Sequence, residues 1–204
     1  MEAEIVLSSI GIILSVINTV TPTIAIYHRA KSQSLHQVPL NFLCLYHACQ
    51  LSCLIYSIMI VSPSLIIINI ITTFLSCINL LLYVMYTGKI EAFLPKYFVS
   101  FIMSSFLTMN FASYKFVGSM SSVLKILSSI SSLESIKEAL KTKDFKVIDI
   151  GMAFSGFLAS AVWAMFGKIT MDVYVYFSSM VGVVICLTLT VVYYYLKFTK
   201  KANN

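Results

Sequence analysis

The stretch "AVWAMFGKITMDVY" (residues 161–174) closes one apolar run and opens the next. Its polar break is short: Gly167 and Lys168 follow Phe166, and Asp172 precedes the next hydrophobic segment. It reads as the end of one apolar helix, a tight turn, and the start of another. It also carries Trp163, the single tryptophan of the chain. A large indole in mid-helix, with an acid just beyond the turn, fits one of two roles: an anchor at a membrane interface or a surface for a ligand.

Outward from this hairpin the same pattern recurs. The 204 residues are 59% hydrophobic and 11% charged, with mean hydropathy +0.91. Soluble domains carry about 25% charged residues, so this chain cannot clothe a water-facing surface and reads as a polytopic membrane protein. A spanning helix needs about 20 apolar residues. Seven runs qualify, at about 5–27, 38–61, 63–86, 94–114, 118–136, 147–167 and 172–196. The fifth contains the serine-rich "SSVLKILSSISSLESI" (121–136), and a weak span of this kind is usually enclosed by other helices, where hydroxyls allow close packing.

No cleavable leader is evident: "MEAEIVLSSIGIIL" (1–14) begins with acids and runs on as a span. The five cysteines, Cys44, Cys49, Cys53, Cys77 and Cys186, all lie within apolar runs. They read as small lipid- or helix-facing residues, neither disulfides nor metal ligands. The three histidines have no Cys or acid partners at ligand spacing. No phosphate cradle or Ser/His/Asp order is present, so no enzyme activity, cofactor or metal is expected.

Basic residues orient the spans. Arg29, Lys31, Lys89, Lys96, Lys137, Lys141, Lys143, Lys146, Lys197, Lys200 and Lys201 fall on one side, and Lys115 and Lys168 on the other. The rich side is expected to be cytosolic, with the N-terminus outside and "KFTKKANN" (197–204) inside. The net charge of +6 follows from this bias and from contact with anionic lipid. It calls for no nucleic-acid partner.

Sliding the chain along itself by 110 positions lays the first three spans over the last three without a gap. "KSQSLHQVPL" (31–40) falls on "KTKDFKVIDI" (141–150), Thr21-Pro22 on Ser131-Ser132, Tyr56 on Phe166, Ser62 on Asp172, Asn69 on Ser179 and Tyr83 on Tyr193. Identities are few, but turns, basic clusters and span starts keep one offset. The expected architecture is an all-α membrane protein of seven transmembrane helices in a 3+1+3 layout. Residues 1–90 form one three-helix repeat, 91–117 a linker helix, 118–197 the second repeat and 198–204 a cytosolic tail. The odd helix restores orientation, so the two bundles are parallel and enclose a central path.

These residues resemble the SWEET sugar transporters, relatives of the bacterial SemiSWEETs. In the second repeat the resemblance rests on Ser131, Ser132 and Leu133, Thr142-Lys143, Asp149, the "WAMFG" of 163–167, Asp172, and Ser178-Ser179 before Gly182. In the first it rests on Thr21-Pro22, Lys31-Ser32, Pro39, Cys53, Tyr56, Ser62 and Asn69. The family usually has a Trp and an Asn in each repeat. Here the first repeat keeps Asn69 with Cys53 in the Trp position, and the second keeps Trp163 with Ser179 in the Asn position. Of the family's helix-bending prolines Pro22 and Pro39 remain, opposite Ser132 and Asp149. The resemblance implies bidirectional facilitative transport of a mono- or disaccharide by alternating access. It also implies a plasma-membrane location and allows homo-oligomers.

At about 1.5 Å of rise per residue, Trp163, Asn69 and Ser179 fall at one depth, roughly 8–11 Å from the outer turns. Such convergence suits a pocket. An indole offers a flat face to the C–H side of a sugar ring, and an amide both donates to and accepts from hydroxyls. Each such bond nets only about 0.5–1.5 kcal/mol, weak enough for a carrier to release its cargo. Ser15 and Asn18 share a helix face with Pro22, and the offset sets Lys125 and Ser128 opposite them. A lysine within a span costs about 2.5–3.5 kcal/mol on insertion scales. Lys125 either snorkels outward or faces the path near Asp172, where it would favour an anion or bond sugar hydroxyls.

The resemblance implies an outer gate of Tyr56 with Asp172, and a cytosolic gate where Pro22 and Pro39 let their helices hinge. Ser132 keeps its backbone donor, so the second repeat is expected to bend less. His47 and Gln50 are polar at membrane depth and face protein. Either could stand in for the missing Trp, though helix–helix hydrogen bonding suits them better. No carboxylate lies deep in a span, Glu134 being near an end, which disfavours proton coupling. Two other readings remain: a PQ-loop-type carrier of amino acids or another small solute, though the Pro-Gln dipeptide is missing, and a non-transporting receptor of the same fold.

Overall fold

The computed structural model describes residues 2–31, 40–88, 97 and 113–202. Within them the chain forms α1 (Glu2–Lys31), α2 (Leu40–Met59), α3 (Pro63–Thr87), α4 (Tyr114–Ser131), the short α5 (Glu134–Thr142), α6 (Ile150–Ile169) and α7 (Val173–Ala202), with one 3-10 turn at Phe145–Val147. Six of these helical segments are long and apolar enough to cross a membrane, the fourth running through α4 and α5. There is no strand among the described residues. The apolar run at 94–114 lies outside the described residues except for Tyr97 and its last two positions.

The chemistry of burial is that of a membrane protein. Large apolar side chains such as Phe74, Met85 and Val191 point outward, while Thr19, Ser52, Ser57, Ser76, Asn79 and Ser179 are among the most enclosed. Lipid tails are as apolar as leucine, so burying leucine inside gains little. Helices instead associate through small and hydroxyl side chains that permit close approach and hydrogen bonds. Thus Asn79 Nδ2 donates to the Thr19 carbonyl at 3.0 Å, joining α3 to α1. His47 Nδ1 pairs with Ser76 Oγ at 2.8 Å, joining α2 to α3.

The offset of 110 is visible in the backbone. α2 and α6 span 40–59 and 150–169, and α3 and α7 begin at 63 and 173. The turns before α3 and α7 match as well. Val61 and Met171 both adopt left-handed backbone, φ 52 and 57. Ser62 N bonds the Ser57 carbonyl at 3.1 Å, and Asp172 N the Gly167 carbonyl at 2.8 Å. Neither position is glycine, although positive φ is rare for a β-branched residue. Both side chains stand free of the fold, 77% and 85% exposed. These turns mark one end of the molecule, the turn end, and Pro22 lies toward the opposite, proline end.

Helix neighbours obey the same relation. α3 packs on α1 and α2, α7 packs on α4 and α6, and across the divide α1 meets α6 while α2 meets α4. The shift exchanges α1 with α4 and α2 with α6, so each contact maps onto another, as an approximate two-fold axis requires. At the proline end each repeat has its own apolar cluster: Ile26, Leu43, Leu80 and Tyr83 in the first, and Ala153, Ile185, Leu189 and Leu196 in the second. Near the turn end Leu65, Ile68, Trp163 and Phe166 form a cluster shared between repeats.

The repeats part at the helix bend. α1 is unbroken through Pro22, whereas its counterpart stops at Ser131 and resumes as α5. This reverses the expectation that the second repeat bends less. Proline removes one donor, but serines remove acceptors. Ser131 Oγ and Ser132 Oγ each bond a carbonyl three residues back, those of Ser128 and Ser129, at 2.6 Å. The backbone tightens there into i to i+3 bonds, Ser132 N to Ser129 O at 3.2 Å and Leu133 N to Ile130 O at 2.9 Å. Such back-bonding competes with the helix ladder and bends it. α7 also runs on to Ala202, into the segment read as a tail. Lys200 pairs there with Asp144 at 3.7 Å and lies over the Phe145 ring.

Candidate functional site

Between the repeats lie three cavities in series. The largest, about 130 Å³, is toward the turn end and is lined from α1, α2, α3, α4, α6 and α7. The next, about 120 Å³, shares Asn18, Tyr46, Cys49, Gln50, Lys125 and Ser160 with the first. The third, about 50 Å³, shares Pro22, Phe42, Ser132, Met152 and Leu189 with the second and reaches Asp149. Shared walls make them one path from the Tyr56 level to the proline end.

Trp163 lines the first cavity and is 7% exposed, so it is no interfacial anchor. Its Nε1 donates to Ser15 Oγ at 2.7 Å, across the divide to α1. Its ring lies against Gly11, where a Cβ would come 3.0 Å from Cε2, and meets Phe166 edge to face at 5.2 Å. A glycine on α1 therefore leaves room for the indole at the neighbouring helix.

Asn69 and Cys53 line the same cavity. Asn69 Nδ2 donates to the Cys53 carbonyl at 3.1 Å, leaving the amide oxygen as an acceptor for a ligand. Ser15 lines the first cavity, Asn18 lines the first two, and Ser128 lines the second. Asn18 Oδ1 accepts from Ser155 Oγ at 3.1 Å. Ser179 does not reach the cavity: it is fully enclosed and accepts a hydrogen bond from Lys125 Nζ at 2.9 Å. Its neighbour Ser178 is in the wall instead. Lys125 lines both of the first two cavities, so it does not snorkel outward, and its hydrogen-bond partner is Ser179 rather than Asp172.

At the turn end Tyr56 Oη donates to Asp172 Oδ2 at 3.0 Å. The other carboxylate oxygen, Oδ1, accepts the Tyr174 and Val175 amides at 3.0 and 3.1 Å, capping α7. An acid at a helix N-terminus satisfies otherwise orphaned donors, which fixes the carboxylate for Tyr56. Tyr174 meets the Tyr56 ring edge to face at 5.7 Å. Gly118 on α4 makes room for both rings, since a Cβ there would approach them to 2.7 and 2.8 Å. Pro22 lines the second and third cavities. Pro39 lies outside the described residues.

Other residues in the wall were not singled out from the sequence: Tyr46, Cys49, Thr72, Ser160 and Tyr174. A signal existed in α2. Tyr46, Cys49, Gln50, Cys53 and Tyr56 recur every three or four residues, one face of a helix. Gln50 lines the path and accepts from Thr72 Oγ1 at 2.8 Å, while His47 turns away to Ser76. Cys49 and Cys53 sit 3.8 Å apart, Sγ to Sγ, and Cys186 lines the second cavity. These three cysteines face the path rather than lipid. None of the five cysteines is in a disulfide, and the described residues hold no cluster of three or more metal-ligating side chains.

Six apolar helices paired about a path lined partly by polar side chains make this an integral, multi-pass membrane protein with the build of a two-repeat transporter. The family model described as "sugar efflux transporter for intercellular exchange" matches residues 5–91 and again 115–202, and the chain belongs to that family. It is a family of transporters rather than enzymes, and membership supports sugar transport in general. A eukaryotic SWEET transporter, solved at 3.7 Å resolution, has a similar structure with TM-score 0.77 and 18% identity, over 96% of this chain and 97% of that one. At that identity the likeness concerns the fold. No curated protein sequence matches the chain.

Proposed function

We propose that the protein is a bidirectional uniporter of a mono- or disaccharide that works by alternating access between its two three-helix repeats. The proposed layout is 3+1+3, two repeats and a linker. The membrane is the plasma membrane, with the turn end outside and the C-terminus in the cytosol. The observation that carries this reading is the first cavity. The indole of Trp163 from one repeat and the amide of Asn69 from the other both line it, together with several hydroxyls.

The chemistry matches a sugar. The indole covers an apolar ring face, and Asn69, Gln50, Ser122 and Ser160 supply donors and acceptors for the hydroxyl rim. Tyr56 and Asp172 act as the outer gate, holding α2 of one repeat to α7 of the other. Breaking that bond frees the turn end to open while the helices close around Pro22 and Ser132 at the other end. Neither of the first two cavities has a carboxylate among its lining residues, and Glu134 is exposed at the start of α5, which supports a passive cycle.

The test is uptake of radiolabelled glucose and sucrose into proteoliposomes without a proton gradient, wild type beside Trp163→Ala. Flux in the wild type and at least ~tenfold less in the variant is expected, the size of losing about 1.4 kcal/mol of binding. No sugar flux by folded protein refutes the uniporter, and undiminished flux in Trp163→Ala refutes the placement of the pocket.

A further inference from the structure

Lys125 is the only charged side chain lining the first two cavities among the described residues. Its one recorded hydrogen bond, to Ser179 Oγ at 2.9 Å, uses one of three ammonium donors and supplies no countercharge. The other residues that line both cavities carry no charge: Asn18 from α1, Tyr46, Cys49 and Gln50 from α2, and Ser160 from α6. Asp149 lines only the third cavity, at the proline end, and the acid at the turn end is Asp172. Its carboxylate is already engaged by the Tyr56 hydroxyl and two backbone amides of α7. The single ion pair among the described residues, Lys200 with Asp144, lies at the proline end. An ammonium at membrane depth without a counterion is costly, and such groups mark substrate paths.

We propose that the substrate itself brings the counterion: the pocket selects a singly charged sugar acid, a hydroxylated ring or chain bearing one carboxylate, over a neutral sugar. This rests on the sugar-carrier reading above and sharpens its substrate class. One ammonium balances one carboxylate, whereas a phosphate ester near neutral pH carries more charge than the site neutralises. Charge-assisted hydrogen bonds are about twice as strong as neutral ones, and the low dielectric of an enclosed site strengthens them further. The indole and Asn69 remain available for the ring and its hydroxyls. The offset sharpens the assignment, because the residue 110 positions before Lys125 is the neutral Ser15, bonded to Trp163. The charge is thus confined to one side of the path, and the carboxylate binds in one orientation.

The experiment uses full-length protein in proteoliposomes with radiolabelled glucuronate and glucose, at zero potential and with an interior-positive potassium diffusion potential. The wild type is expected to take up glucuronate at least ~tenfold better than glucose at equal low concentration, about 1.4 kcal/mol. The interior-positive potential is expected to accelerate glucuronate alone, since each transfer moves one negative charge. Lys125→Gln should erase that preference, and Lys125→Arg should retain it. Robust wild-type glucose flux with no preference for glucuronate overturns the proposal and leaves the sugar carrier standing. An unchanged ratio in Lys125→Gln also overturns it. If neither solute moves, both readings fall. Glucuronate flux without glucose flux supports the proposal and replaces the neutral-sugar uniporter by a carrier of sugar acids. The wild-type ratio and its potential dependence decide the matter even if the glutamine variant does not fold.

Discussion

The two three-helix repeats share helix boundaries at a fixed offset, yet the side chains they turn toward the path differ at nearly every paired position. Where the second repeat places Trp163, the first has Cys53, and where the first has Ser15, Asn18 and Gln50, the second has Lys125, Ser128 and Ser160. Asn69 is in the cavity wall, but its mate Ser179 stands behind it as the acceptor for Lys125. Backbone packing tolerates a two-fold relation because small and hydroxyl residues suffice for helix contact. A binding site does not need that symmetry. One indole opposite a small thiol leaves room for a ligand, with an apolar wall on one side and polar groups on the other.

The comparison breaks most severely if the indole is lost, which makes Trp163→Ala, tested above, the largest expected effect. Next is Gly118→Ala. The added methyl would stand 2.7 and 2.8 Å from the Tyr174 and Tyr56 rings, so the rings must shift away from Asp172. Flux should fall about tenfold, in line with the cost of overpacking a tight contact. Cys53 should then react faster with an impermeant maleimide added from the turn end. Unchanged labelling would mean that these rings do not close the path.

Tyr56→Phe removes the hydroxyl and keeps the ring. A hydrogen bond to a charged group contributes about 1.5–3 kcal/mol. Asp172 keeps its two backbone donors, so a smaller loss of flux, about fivefold, is expected from that weakening. Maleimide labelling of Cys53 should rise as for Gly118→Ala, but less. The mildest change is Pro22→Ser, which gives the first repeat the residue of the second. α1 is already unbroken at Pro22, and restoring one backbone donor adds only about 0.5–1.5 kcal/mol. Flux should stay within about twofold and the melting temperature should not fall. A large loss would show that the proline itself is the hinge.

Much of the fold was legible in the chain. The "GKITMD" between two apolar runs marked a tight turn, and the turn at Val61 matches it in backbone as well as in position. The rise of a helix placed Trp163 and Asn69 at one level, and both line the first cavity. The roll of each helix about its own axis was not legible. Ser179 has the right level and the family's Asn position, yet it lies one residue away from the wall, where Ser178 is. A span apolar on every side has no polar face to fix its rotation. The bend was misjudged for a related reason: proline shows in a sequence, whereas the diversion of carbonyls by successive serine hydroxyls shows only once their rotamers are known.

The sequence by itself determined that the chain lives in a membrane, roughly where its six described spans lie, and that it is duplicated at 110 positions. These follow from composition, length and spacing, which act locally along the chain. Tertiary structure alone decided that α1 meets α6 and α2 meets α4, that Tyr56 reaches Asp172, and that Lys125 faces the path with a serine as its hydrogen-bond partner. Each of these depends on how helices far apart in sequence rotate and pack against one another. In lipid that choice is set by small residues and polar contacts between helices rather than by an apolar stripe readable on any one of them.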